Sequence, residues 1–212
     1  MQPPAINAPT SVGRGAISCR LRIRLPDTLR RCPLLGISHT TEIDVQHYGA
    51  KQMAESWRTV RKNTVQLAED IPTDQYEFRA TVESMTVASM LAHIATGPYW
   101  AEQVHFVERK TELAMPDFHR YFGAAGAMAA GLKNKDQIVD ALIAGGESFA
   151  LHLDAMTSDQ LDELVVLPNA SKSRMEMLLA VKEHEMHHRA QLMLVQRLLG
   201  IVPHLTRARQ QR

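Results

Sequence analysis

The sequence predicts an all-α protein, a four-helix bundle with a long connection between its second and third helices. Four segments place apolar residues at spacings of three and four, which is the period of one face of an α-helix. No segment alternates apolar and polar residues as a half-buried strand would. A hydrophobic content of 45% in 212 residues is enough for one domain with a sizeable core.

Residues 1–44 differ in composition from the rest, and the bundle domain is predicted to span residues 45–212. The first segment contains six arginines, no lysine, several prolines and no sustained apolar period. This composition favours a disordered or non-native extension. The alternatives are a targeting segment, although a clear amphipathic helix and an apolar signal core are missing, and a structural arm.

Helix one is predicted over residues 46–70 and helix two over residues 86–109. Helix one ends before Pro72, because proline disfavours helical geometry in the preceding residue. Gly97-Pro98 should bend helix two near its middle, since proline removes a backbone donor and crowds the preceding turn. One apolar stripe of helix two consists of Thr86, Met90, His93, Gly97, Trp100, Val104 and Val107.

Residues 115–133 are rich in glycine, alanine and methionine and are predicted to form the long connection, with room for one helical turn in residues 124–132. Helix three begins near Asn134, which has capping-box spacing with Gln137, and continues to about residue 156. A short turn or helix is expected after it, before Pro168.

The fourth helix is predicted to begin at Ser173, which has capping-box spacing with Glu176, and to end at Gly200. His184 and His188 are four residues apart on its apolar face, about 40° around the helix axis, so both can reach one ion. A buried imidazole without a partner costs on the order of 1 to 3 kcal/mol, a cost that a shared metal ion removes. A third ligand must come from another helix, and His93 on the buried stripe of helix two is the best candidate.

The candidate ligands His93, His184 and His188 form a donor set typical of catalytic zinc sites, which keep a fourth position open for water or substrate. Nickel, iron and manganese also accept imidazole ligands. The alternative is that ordinary hydrogen bonds satisfy these histidines in the core or at the surface. His187 is expected to face solvent or to support a ligand, and His152 on helix three is a second-choice ligand.

The segment from His184 to His188 also matches HExxH, the zinc-protease pattern in which the glutamate, here Glu185, is the general base. Such proteases need a third ligand downstream. The sequence after Glu185 contains no aspartate or glutamate, and Leu194 stands six positions past His188. With His204 as the one remaining downstream histidine, the sequence argues against a protease.

Charge and composition argue against several other classes of protein. The 24 basic and 23 acidic side chains give a net charge of +1, so no global field attracts nucleic acid or anionic membranes. No stretch approaches the roughly 20 apolar residues that span a bilayer. Cys19 and Cys32 have no further cysteine partners, which predicts a reducing, cytoplasmic compartment rather than a disulfide framework.

Three blocks, Met90–Ala95, Glu183–Leu192 and Arg197–Gly200, resemble the DinB-like family of damage-inducible bacterial proteins, related to bacillithiol- and mycothiol-dependent S-transferases. The resemblance covers about residues 46–203. It implies a metal site with one histidine from helix two and an HxxxH pair from the last helix, which again are His93, His184 and His188. It also implies that residues 1–44 precede the usual family start, as in a reading frame extended upstream of a start near Val45.

The donor set and the resemblance together predict a metal-dependent enzyme that activates a thiolate or water against a small electrophile, of the S-transferase or hydrolase type. A noncatalytic metal-binding protein of the stress response is the alternative. The expected cofactors are a divalent metal ion, zinc in the first place, and a low-molecular-weight thiol. The expected partners are a small-molecule substrate and a second copy in a homodimer. Tyr99 and Trp100 are candidate pocket residues, although core packing is the simpler explanation.

Overall fold

The computed structural model of the protein describes residues 48–211, so the predictions for residues 1–44 lie outside the described part. Its helices are α1 (Ala50–Asp70), α2 (Val87–Thr96), α3 (Tyr99–Ala101), α4 (Met115–Gly131), α5 (Lys135–Asp154), α6 (Ser158–Asp162), α7 (Arg174–Leu198) and α8 (His204–Gln210). A 3-10 turn (Thr73–Gln75) precedes α2, and a π-helical segment (Glu102–Val107) follows α3. The strands are β1 (Leu164–Leu167) and β2 (Ala170–Ser173). None of the described helices is long and apolar enough to cross a membrane.

The four helices predicted from apolar periodicity correspond to α1, α2 with its continuation, α5 and α7, and they pack around a common core. Helix α1 lies along α5 and also contacts α7, while α2 contacts α5 and α7. The core consists of residues that recur every three or four positions on one face of each helix. Its large, fully buried side chains include Met53, Trp57, Leu67, Leu91, Ile94, Ile138, Leu142, Phe149, Leu153 and Leu178. The predicted all-α fold class is therefore confirmed.

The region predicted as a long connection is mostly a helix, so this prediction was wrong. Helix α4 spans Met115–Gly131, with Pro116 in its first turn, where a missing backbone donor does no harm. Of its residues, Tyr121 and Ala125 are buried, and the helix packs on α2 and α3. The helix was missed because two buried positions are too few to show a helical period of apolar residues in the sequence. The glycine-rich composition is also typical of loops.

The predicted second helix is interrupted at Gly97-Pro98, where a bend was expected. Helix α2 ends at Thr96, and Pro98 caps α3. The chain then continues as the π-helical segment to Val107, and Arg109 adopts a φ of 49°. A positive φ is uncommon for a residue other than glycine. Neither the backbone conformation of Arg109 nor the π-helical segment was predicted.

A short antiparallel hairpin, which the sequence did not predict, leads into α7. In it Leu164 pairs with Ser173, and Leu167 pairs with Ala170. Strands of four residues are too short for alternation to stand out from other apolar runs. The N-cap predicted for the last helix is present, because Oγ of Ser173 accepts a hydrogen bond from the backbone N–H of Glu176 at 3.1 Å.

Candidate metal centre

The three histidines singled out by the sequence lie side by side between α2 and α7. Nε2 of His93 is 2.9 Å from Nε2 of His184, and Nε2 of His188 is 3.1 Å from that same atom. The ligand atoms of the three residues all lie within 4.8 Å of one another. Two helices that are far apart in sequence thus bring three imidazole nitrogens to one place.

The close approach of these nitrogens is difficult to explain by hydrogen bonds alone. Nε2 of His184 carries either one proton or one lone pair, so it forms one good hydrogen bond, yet it has two nitrogen neighbours at bonding distance. A metal ion about 2.0 to 2.1 Å from each nitrogen would hold tetrahedral ligands about 3.3 Å apart. The two separations that involve Nε2 of His184, 2.9 and 3.1 Å, are close to that value, so the donor set fits an ion.

The protonation state of the histidines also suits a metal. Burial between the helices, and after it the charge of the neighbouring histidines, lowers the pKa of His184 to about 4. Burial and His188 lower the pKa of His93 in the same direction. Both rings are therefore neutral at pH 7, and a neutral imidazole has the lone pair that a metal ion requires.

Gln191, which sequence reasoning missed, orients His188. Nδ1 of His188 donates to Oε1 of Gln191 at 2.8 Å, because an amide oxygen can only accept. With its proton on Nδ1, His188 presents an unprotonated Nε2 to the other histidines. The amide nitrogen of Gln191 donates in turn to Nε2 of His187 at 3.1 Å. The exposed His187 thus acts on the cluster through Gln191. In the sequence, the spacing of three between His188 and Gln191 was the available signal for the role of Gln191.

Helices α2 and α7 approach closely where Gly97 faces His184. A Cβ atom on Gly97 would lie 3.5 Å from Cε1 of the His184 ring and 3.1 Å from the carbonyl oxygen of His93. The second distance is tighter than an ordinary carbon contact. The His184 ring thus lies in ordinary van der Waals contact with this position, and the tight approach is to the backbone of α2 itself.

Glu185, the glutamate of the HExxH pattern, faces α1 rather than the histidine cluster. It is 2% exposed, and its Oε1 accepts a hydrogen bond from Oγ1 of Thr64 at 2.6 Å. Its Oε2 lies 2.8 Å from Nη2 of Arg61, which is buried as well. A general base must reach the water that it deprotonates, whereas this carboxylate is held in a buried ion pair. The geometry agrees with the sequence argument against a protease.

The remaining candidate residues lie elsewhere in the fold. His152 stacks on Phe106 with ring centroids 4.8 Å apart and is not part of the histidine cluster. His204 contacts Asn63 through Nε2 at 3.1 Å. Trp100 packs against core residues, and Tyr99 borders a cavity between α2, α4 and α5.

Comparison with known proteins identifies the family. The model of the DinB superfamily matches residues 56–192, which include all three clustered histidines. No curated protein matches the chain. A DinB-like protein from Bacillus subtilis has a similar structure, with a TM-score of 0.53 and 19% identity over 70% of this chain and 92% of that one. A DinB-like protein from Bacillus cereus has a TM-score of 0.54 and 14% identity over 72% of this chain and 94% of that one.

At these identities the two structures establish likeness of fold alone. The family model is matched by well over half of the residues, in the part of the chain that contains α2, α5 and most of α7. We conclude that the chain belongs to the DinB superfamily.

Proposed function

We propose that the protein binds one divalent metal ion through His93, His184 and His188 and uses it as a metal-dependent enzyme. The observation behind this proposal is that three imidazole nitrogens from two helices converge. Nε2 of His93 and Nε2 of His188 both approach Nε2 of His184, which can form one good hydrogen bond. Zinc suits three neutral imidazoles with an open fourth position best, and nickel, iron and manganese accept the same ligands.

The proposed reaction is attack of a thiolate or a hydroxide on a small electrophile, as in thiol S-transferases and hydrolases. A bound ion supplies positive charge that lowers the pKa of a coordinated water or thiol. The chain itself contributes the neutral form of His93 and His184 and the hydrogen bond from His188 to Gln191, which places the ring proton of His188 on Nδ1. Family membership supports a low-molecular-weight thiol as the second reactant.

Elemental analysis tests metal binding in full-length protein purified without a histidine tag and without added metal. We expect about one equivalent of a divalent ion, reduced to background in His93→Ala and in His188→Ala because two imidazoles hold an ion much more weakly than three. His119→Ala is the matched control, since it removes an exposed histidine of α4 that is not part of the cluster and should keep the metal content of the parent. Equal metal content in the parent and in His93→Ala would contradict the proposal.

Turnover separates the enzyme from the noncatalytic alternative, a metal-binding protein of the stress response. The parent protein is assayed for conjugation of a small thiol to an aromatic electrophile and for hydrolysis of an activated ester, with and without one equivalent of zinc. We expect activity that depends on metal and is lost in His188→Ala. Stoichiometric binding without metal-dependent turnover favours the alternative instead. The homodimer stays a prediction, which light scattering can check.

A further inference from the structure

A cavity lies between α2, α3, α4 and α5, on a different side of α2 from the histidine cluster. Its volume is about 490 Å³, and cavities of about 300 to 1,000 Å³ commonly hold small organic ligands. Ala95, which lines the cavity, follows His93 by two residues, or about 200° around the helix axis. The described residues that line the cavity include none of the three clustered histidines, so it is separate from the candidate metal centre.

Most of the cavity wall is apolar. Helix α5 contributes the small residues Ala141, Ala144 and Gly145, which follow the spacing of one helix face. The end of α4 contributes larger apolar side chains, those of Met128 and Leu132. Because α5 presents only small residues to the cavity, there is room for a ligand between it and α4.

Glu102 is the one charged side chain among the described residues that line the cavity. Ala95, Pro98 and Tyr99 also line it, and with Glu102 they have the spacing i, i+3, i+4 and i+7 of a single helix face. The helical pattern reaches this residue, because the backbone N–H of Glu102 donates to the carbonyl oxygen of Pro98 at 3.0 Å. The side chain of Glu102 therefore lies on the face that borders the cavity.

The carboxylate of Glu102 is unpaired and accessible. No side chain or backbone group among residues 48–211 forms a hydrogen bond with it. Its oxygens are not among the fully buried side-chain atoms that lack a partner, so a small molecule can reach them. Arg61 acts on Glu102 through its charge, but this guanidinium already forms an ion pair with Glu185 at 2.8 Å. The negative charge of Glu102 is thus available to a ligand.

The charge of the lining favours a cation as that ligand. One carboxylate and no basic side chain line the cavity within the described range, so an anion would be repelled. Burial raises the pKa of Glu102 above its ordinary value, and the charges of His152 and Arg61 oppose this only in part. A bound cation would compensate the cost of burying the carboxylate. The hydroxyl oxygen of Tyr99, three residues earlier on the same face, is a second acceptor.

We propose that this cavity binds a small primary ammonium ion with an apolar body. The ammonium group, which has three donors, contacts the carboxylate of Glu102, and the body packs against the apolar wall formed by α4 and α5. The site is distinct from the histidine cluster, and the proposal does not depend on whether that cluster binds a metal ion.

Isothermal titration with phenethylamine at neutral pH tests the proposal on the full-length protein treated with EDTA, so that no amine binds through a metal ion. We expect saturable binding in the millimolar range or tighter. In Glu102→Gln the affinity should fall about tenfold or more, because a charge-assisted hydrogen bond is lost. Glu77→Gln is the matched control, since Glu77 is an exposed glutamate outside the cavity lining and its variant should bind like the parent.

Two further comparisons separate the contribution of the charge from that of the apolar wall. Phenethyl alcohol has the same body without the charge and should bind the parent about tenfold more weakly or worse. Ala144→Leu adds volume at an exposed position of α5 that lines the cavity, and it should also weaken phenethylamine binding. Leucine has a high helix propensity, so this variant should fold like the parent.

Three results would overturn the proposal: no saturable binding of phenethylamine, equal affinity in Glu102→Gln and the parent, or phenethyl alcohol binding as tightly as phenethylamine. The comparison of the two ligands requires the parent protein alone, so it decides the question even if a variant fails to fold.

Discussion

Gln191 shows how one side chain outside the histidine cluster determines what the cluster can bind. A free histidine exchanges its proton between two ring nitrogens, and the protonated one cannot hold a metal ion. The hydrogen bond of 2.8 Å from Nδ1 of His188 to Gln191 selects the form with Nε2 unprotonated. It also holds the ring in one orientation, which reduces the entropy lost on binding.

Replacement of Gln191 by alanine should therefore weaken metal binding by about 10-fold to 100-fold, the range typical of residues that orient a metal ligand. Competition for zinc with a chromophoric chelator measures the affinity. Gln191→Glu keeps an acceptor for Nδ1 of His188 and should bind at least as tightly as the parent. If the alanine variant has the affinity of the parent, Gln191 does not position the ligand.

At the scale of secondary structure elements, the close packing of α1 on α5 depends on Gly146. A Cβ atom there would lie 2.3 Å from Cγ of Arg61. Arg61 cannot move aside easily, because it pairs with Glu185 and donates to the carbonyl oxygen of Leu142. The carbonyl oxygen of Gly146 also accepts a hydrogen bond from the indole of Trp57 at 2.8 Å. Because residue 146 has no side chain, Arg61 of α1 fits against α5 while it forms a buried ion pair with Glu185 of α7.

We expect Gly146→Ala to lower the free energy of unfolding by about 1 to 3 kcal/mol, as overpacking of a core does. The neighbouring Gly145 is the control, because its added Cβ would lie 3.7 Å from the carbonyl oxygen of Ala95, an ordinary contact. Gly145→Ala should be neutral or stabilise α5 by up to about 1 kcal/mol through helix propensity. Urea unfolding of both variants measures the difference, and equal stabilities would refute the role of the close contact.

For the whole molecule, burial of neutral histidines makes folding sensitive to acid. The pKa of His105 is lowered to about 3 in the folded protein by burial and by Arg174, whereas an unfolded histidine has a pKa of about 6.5. Between these values the unfolded chain binds a proton that the folded chain does not. Stability therefore falls as the pH drops below about 6.5, by up to about 1.4 kcal/mol per pH unit for this residue.

Urea midpoints of the EDTA-treated protein between pH 7 and pH 5 measure this dependence. We expect the parent to lose stability more steeply than His105→Gln, whose amide oxygen can still accept from Arg174 but does not titrate. Other histidines whose pKa is lowered, such as His184, contribute equally to both proteins and cancel in the comparison. Identical slopes would show that His105 titrates in the same way folded and unfolded.

The sequence by itself determined the features that depend on local spacing. Amphipathic periodicity identified the helices of the core, and capping pairs at Asn134 and Ser173 located two helix starts, both observed. A spacing of four placed His184 and His188 on one face of α7, and the apolar stripe of helix two singled out His93. These results follow from the 3.6-residue period, which each helix obeys whatever its neighbours are.

Only the tertiary structure decided which side chains meet across helices. In the folded protein Glu185 forms an ion pair with Arg61, Gln191 accepts a hydrogen bond from His188, and His105 accepts one from Arg174, 69 residues away in sequence. The tertiary structure also made α4 a helix although few of its residues are buried. The reason is physical. Periodicity predicts which face of a helix is buried, but it does not predict which side chains of the other helices that face contacts. Those contacts depend on helix packing, on the bend at Gly97-Pro98 and on the π-helical segment, which arise from contacts between residues distant in sequence.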